Sequence, residues 1–277
     1  NGDLRSMARY PDYDKTAVRF NGTSALATAP ERVKKWKNPE GGYFHAMHSH
    51  DWGDFHYRIT GKNEKGELQL EGGWQNNRPM GIHPENRMVE NIFEELDAPG
   101  EWYYDKQEGW LYYYPLSDEN INELVFETPQ LKNLIEIAGT SSHPVKNITI
   151  EGIELTQTIR TFMEHYEPLL RSDWTIYRGG AVIFRGTEKC TLRDCYIHHV
   201  GGNGVFFDKY NRNSAVTGSY LTSIGASAIC FVGDVAGVRS PSFRYGEFVP
   251  LDKMDTAKGS QNDNHPAYCE VYDNLIC

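Results

Sequence analysis

The sequence has no apolar run of the roughly 18 residues that a membrane-spanning helix requires, so no helical span is expected. It lacks an excess of positive charge. Lys and Arg number 28 against 38 Asp and Glu, giving a formal net charge of -10. A general nucleic-acid binder would carry a basic field, so that class is set aside. Cysteine is scarce, and the five residues Cys190, Cys195, Cys230, Cys269 and Cys277 contain no C-x-x-C pair. A cysteine metal site is therefore disfavoured. The bland reading, small buried hydrophobes, is preferred, and disulfides are not implied. No cofactor is expected. No signal peptide heads the chain, but Asn1 is not an initiator residue and the chain reads as trimmed.

Against these absences stand 26 Gly, 13 Pro, 17 Tyr, 12 Phe and 6 Trp, with 39% hydrophobic residues, a globular rather than a disordered composition. The organising feature is a self-match at an offset of 24 residues between 186 and 234. Cys190–Ile197 falls on Ser214–Leu221, and Val205–Phe207 falls on Ile229–Phe231. The matching segments are short, rich in Val, Ile, Phe, Tyr and Thr, and punctuated by Gly and Asn. That is strand chemistry. A fixed period holding short strands and tight turns suits a parallel β-helix.

Further copies appear once insertions are allowed. Asn147–Leu155 and Tyr268–Ile276 both match Lys189–Ile197. The alignment predicts one apolar ladder through Ile150, Leu192, Val216 and Val271, and another through Leu155, Ile197, Leu221 and Ile276. A third strand repeats as Leu134–Ile137, Ala181–Phe184, Gly204–Phe207 and Ala228–Phe231. The expected architecture is all-β: a right-handed parallel β-helix (solenoid) over 131–277, preceded by a β-rich N-terminal region, 1–130, packed on the first coils. Glu270–Cys277 is a repeat strand with nothing after it, so the natural protein is expected to continue, and this chain alone to be poorly soluble or self-associating. Within 1–130, strands are expected at Thr16–Phe20, Phe55–Thr60 and Glu67–Gln69, a short helix at Met88–Leu96, and an aromatic β-hairpin over 99–115 that serves core and interface packing.

Asn1–Pro11, His45–Gly53, Glu90–Tyr103, Leu170–Trp174, Gly201–Asn203 and Phe231–Asp234, taken in order, resemble the parallel β-helix carbohydrate-active enzymes, especially glycoside hydrolase family 141. The resemblance covers most of the chain. It implies a secreted or periplasmic enzyme acting on plant or algal glycans, from a family whose members are longer than this chain. It also implies that the acidic residues of later coils are missing here.

Glycoside hydrolysis needs two carboxyl groups flanking the scissile bond. Stacked coils can supply them, because equivalent positions on neighbouring strands lie about 4.8 Å apart. The candidates are Asp208, Asp234 and Asp263. Two of them have a bland alternative: an ion pair with Arg185 one coil away, or an Asx turn, for Asp208, and turn formation for Asp234. Long insertions at 157–178 and 233–266 are the loops able to wall a groove. They supply Asp173, Trp174, Arg178 and Arg239 as candidate substrate-binding groups. His45, His48, His50 and His56 form the densest histidine cluster, with His48 and His50 expected on one strand face. No carboxylate stands at a known metal spacing, so no metal is assigned. His48 and His50 are instead candidates for hydrogen bonding at a groove rim, and His198-His199 reads as structural. The reading is thus a glycoside hydrolase working through a carboxylate pair on a complex polysaccharide or oligosaccharide. A polysaccharide lyase on the same fold, or a non-catalytic glycan-binding β-helix module, stands as the alternative. Fold alone does not choose between them.

Overall fold

The computed structural model describes residues 3–78, 80–168 and 175–277. Strands dominate it, and the one α-helix among the described residues spans Pro30–Val33. No helix among the described residues is long and apolar enough to cross a membrane. Contacts divide the chain into two units, Asn1–Phe126 with Asp173–Thr175, and Glu127–Ser172 with Ile176–Cys277.

The first unit carries strands β1 (Arg9–Tyr10), β2 (Tyr43–His48), β3 (Asp54–Lys62), β4 (Leu68–Gly72) and β5 (Ile82–Glu90) in one antiparallel sheet, ordered β1-β5-β2-β3-β4. Alternation places Phe44 and Ala46 of β2, Ile59 of β3 and Val89 of β5 in a core with Trp36 and Ile92, as expected of a sheet buried on one face. A hairpin follows, β6 (Trp102–Asp105) and β7 (Trp110–Tyr113), with Trp102 opposite Tyr113.

Three expectations for this unit are corrected. Thr16–Phe20 is a run of turns, because Asp14 Oδ1 accepts from both Thr16 N (2.8 Å) and Thr16 Oγ1 (2.6 Å), closing a side-chain turn. Met88–Glu90 is the end of β5, paired with β1 and β2. Only Phe93–Glu95 winds, as a 3-10 turn after Asn91 at φ 55°. The aromatic hairpin is not chiefly core. Tyr103 is buried, but Trp110, Tyr104, Tyr112 and Tyr114 are exposed.

In the second unit, strands fall into three parallel sheets. The first holds β8 (Ile135–Ala138), β14 (Val182–Glu188), β17 (Val205–Arg212) and β20 (Ile229–Val232), with β9 (Val145–Lys146) and β21 (Pro266–Ala267) on its margins. The second holds β10 (Thr149–Glu151), β15 (Thr191–Arg193), β18 (Ala215–Thr217) and β22 (Glu270–Tyr272). The third holds β11 (Glu154–Thr156), β16 (Tyr196–Val200), β19 (Tyr220–Ile224) and β23 (Leu275–Ile276). The first insertion contributes the short strands β12 (Glu167–Pro168) and β13 (Thr175–Ile176). Among the described residues the chain visits the first, second and third sheets in that order four times.

Register follows the sequence offsets. Ile150, Leu192, Val216 and Val271 are Cα partners in succession across the second sheet. Leu155, Ile197, Leu221 and Ile276 are partners across the third. In the first sheet Ile137, Phe184, Phe207 and Phe231 align, and the three phenyl rings stack at 4.8 and 4.5 Å. Leu155, Phe184, Leu192, Ile197, Phe207, Val216 and Leu221 join in one apolar cluster with Ile137 and Ile150 against it, and burying each large one contributes about 1.5–3 kcal/mol. The ladders end in partly exposed residues; Val271 is 44% exposed.

The corners between sheets are set by single left-handed residues that also recur in register. Asn147, Lys189, Asn213 and Tyr268 precede the second sheet's strands with φ between 51° and 58°. Gly152, Asp194, Gly218 and Asp273 occupy the next corner with φ between 52° and 66°. Gly, Asn and Asp tolerate this region best, which is why the sequence repeat is punctuated by them. Cys190, Cys195 and Cys230 are buried and unbridged, as small hydrophobes would be. Cys277 departs from that expectation and is exposed.

Candidate functional site

Both insertions of the second unit leave from its strand ends, and one side chain ties them together. Arg178, at the end of the first insertion, donates to Glu167 Oε2 (3.2 Å) and Oε1 (2.5 Å) within that insertion. It also donates to Asp208 Oδ1 and to the carbonyl of Gly233 (3.1 Å), where the second insertion begins. Asp208 lies in β17 opposite Arg185 of β14, and Arg185 Nε donates to its other oxygen at 2.5 Å. The Asp208 carboxylate is 1% exposed and holds an arginine on each oxygen. The ion-pair alternative is thus the one its geometry carries. Burial works against the Arg178 charge, but the bonds to Glu167 and Asp208 outweigh it and keep its pKa above the ordinary value.

Asp234 sits beside this cluster. Its Oδ1 accepts from Ala236 N (2.9 Å), capping the 3-10 turn Val235–Gly237. Its Oδ2 accepts from Asn264 Nδ2 (3.0 Å) and lies 3.3 Å from Lys209 Nζ. The Ala236 amide is the largest influence and outweighs the cost of burial; with the smaller contributions of Lys209 and Arg178 it holds the carboxyl below the usual range, so the group is an anion at neutral pH. The turn reading and a charged role coexist in one group. Asp263 is exposed, and its main chain is fixed by Arg212, which donates to its carbonyl (2.7 Å) while covering the Tyr210 ring. Asn264 bonds Asp234 through side chain and backbone, so Asp234 and Asp263 are linked by the one residue between. Glu167, Lys209 and Asn264 complete the cluster. Nothing in their local sequence marks them; only the meeting of the two insertions does.

The remaining candidates separate. Arg239 braces its own loop, donating to Asp255 Oδ2 (2.6 Å) and to the carbonyls of Gly259 and Ser260. Asp173 and Trp174 lie outside the described residues. His48 and His50 belong to the first unit and do not share a strand face: β2 ends at His48, and His50 lies in the following turn with its amide donating to His48 Nδ1 (3.1 Å). His48 is fully buried, its pKa lowered by burial and then by His50 and Arg78, whereas His50 is exposed. Chemically, the Arg178–Asp208–Asp234 cluster offers one anionic, partly accessible carboxylate among cationic and amide donors, a setting suited to hydroxyl groups.

No protein-family model matches the chain, and no curated protein matches it. A solved structure titled "Glycoside hydrolase" is similar in fold, with a TM-score of 0.58 at 19% sequence identity over 79% of this chain. The match spans 46% of that structure's chain, so this chain covers under half of its length.

Proposed function

We propose that the protein is a glycosidase. The observation that supports this is the similarity of most of the chain to a structure titled glycoside hydrolase. The three parallel sheets are read as the faces of a right-handed parallel β-helix over 131–277, related to family 141, with 1–130 as its N-terminal region. The substrate is a complex plant or algal glycan, and the enzyme works outside the cytoplasm. Asp234 is the carboxylate assigned to attack or to activate water, since it is ionised and reachable, with the exposed Asp263, adjacent in sequence to the Asn264 that bonds Asp234, as its partner. Asp208 acts through Arg178, holding the guanidinium that joins both insertions. Arg178 and Arg239 belong to the loops assigned to bind the sugar.

The test incubates the protein with plant and algal glycans and follows new reducing ends together with the ultraviolet absorbance of unsaturated uronates. Reducing ends without absorbance support the hydrolase. New absorbance would replace it with a lyase, and neither signal would leave a glycan-binding module.

A further inference from the structure

The proposed hydrolysis leaves the aromatic hairpin of the first unit unused. Tyr103 pairs with Tyr112 and Asp105 with Trp110, which sets these four side chains on one face, since residues two apart on a strand point the same way. Phe93, from the 3-10 turn before the hairpin, packs edge to face on Tyr103 at 5.4 Å and on Tyr112 at 5.2 Å. Those contacts fix the rings in place. They also leave ring surface in solvent: Trp110 is 64% exposed, and Phe93 and Tyr112 are exposed with it. Trp110 and Tyr112 stand about 7 Å apart along the strand. A group of exposed rings on one sheet face marks an interaction site.

The polar groups beside the rings select the partner. Tyr103 lies at the base of the face, 8% exposed, and its hydroxyl bonds no described residue. Burial first, then Asp105, Glu94 and Tyr112, raise its pKa, so it stays a neutral donor. Asp105 Oδ1 accepts from the amides of Gln107 (2.9 Å) and Glu108 (3.0 Å), which leaves Oδ2 without a donor among the described residues. Glu94 Oε1 accepts from the Lys37 amide (2.8 Å). The face thus combines ring surface with a phenol donor and carboxylate acceptors. A sugar matches that set: its C–H groups meet the negative face of an aromatic ring, and its hydroxyls both donate and accept. Asp105 and Glu94 would repel uronates, sulfated glycans, phospholipid headgroups and nucleic acid. Cation recognition uses a cage of ring faces turned to one point, whereas Phe93 meets Tyr103 and Tyr112 edge to face and Trp110 stands beyond them.

We propose that the Phe93–Tyr112–Trp110 face is a second glycan-binding surface, one that takes an uncharged polysaccharide and holds it without cleaving it. The ligand class rests on the glycosidase reading; the surface itself belongs to the first unit, whereas the Arg178–Asp208–Asp234 cluster belongs to the second. Trp110 and Tyr112 carry the stacking, Phe93 and the buried Tyr103 hold Tyr112 in place, and Asp105 accepts from sugar hydroxyls.

The experiment is native affinity electrophoresis of the whole chain carrying Asp234→Asn, so that turnover does not consume the ligand. The gels contain xyloglucan, xylan or laminarin as neutral glycans and polygalacturonate or alginate as anionic ones. At least one neutral glycan should retard migration, and the anionic ones should not. Trp110→Ala and Tyr112→Ala, each with an unchanged circular dichroism spectrum, should weaken that binding about tenfold. Trp110→Tyr keeps a ring and should retain most of it. Binding unchanged in both alanine variants, no retardation by any neutral glycan, or retardation by anionic glycans alone would overturn the proposal. So would a dimer in analytical ultracentrifugation that Trp110→Ala abolishes, since a second copy would then cover the face. New reducing ends are followed separately with Asp234 intact, so the glycosidase reading and this surface can fail independently.

Discussion

Glu101 carries a prediction that can be worked through. It lies between the first unit's core and its aromatic hairpin, 3% exposed. Its carboxyl oxygens accept only long bonds, from Arg9 N, Asp97 N and Ala98 N, each at 3.3 Å. Bonds of that length are weak, so burial dominates and lifts the group from 4.5 to about 7. Between those two values the folded state binds a proton that the unfolded chain has released. Stability must then fall as pH rises from about 4.5 to about 7 and level off above. A rise of two and a half pH units at about 1.4 kcal/mol each gives a loss of about 3 kcal/mol. Glu101→Gln keeps the shape and removes the titration. Urea or thermal unfolding of both proteins across this range should show wild type losing about 3 kcal/mol relative to the variant, or at least about 6 °C in melting temperature. Stability curves that run parallel through this window would refute the reasoning.

Other outcomes follow from the second unit. Asp208→Asn leaves Arg178 and Arg185 facing an uncharged amide and should destabilise by about 3–5 kcal/mol, measured by denaturant unfolding. Phe207→Ala removes the middle ring of the Phe184–Phe207–Phe231 stack and should cost about 3–5 kcal/mol in the same assay. Asp234→Asn and Asp263→Asn should each lower glycan turnover at least tenfold, about 1.4 kcal/mol. Melting temperature should hold, because Asn caps a helical turn as well as Asp; wild-type activity in both would move the site elsewhere. Gly186→Ala should destabilise by about 1–3 kcal/mol, since φ is 59° and an added Cβ would lie 2.2 Å from the Gly139 carbonyl carbon.

Much of the second unit was legible in the sequence. The apolar positions of each short strand alternate, one face is buried, and a one-residue slip would turn every ladder inside out. The 24-residue offset therefore fixed which residues pair: Leu192 with Val216, Ile197 with Leu221, and Phe207 with Phe231. Asn213 and Gly218 could be read as corners because few residues tolerate their backbone. The pairing of Arg185 with Asp208 followed from the same register. Local pattern failed where a distant partner decided the outcome. Met88–Glu90 looks helical in isolation but is claimed by β1 and β2. Thr16–Phe20 has strand composition, yet the Asp14 side chain and the buried Arg9 guanidinium, which bonds the carbonyls of Phe20 and Gly22, hold it in turns. The junction of Arg178 with Glu167, Asp208 and Gly233, and the His45–His56 contact, join residues up to 55 positions apart in sequence. No period links those residues, so only the tertiary structure could bring them together.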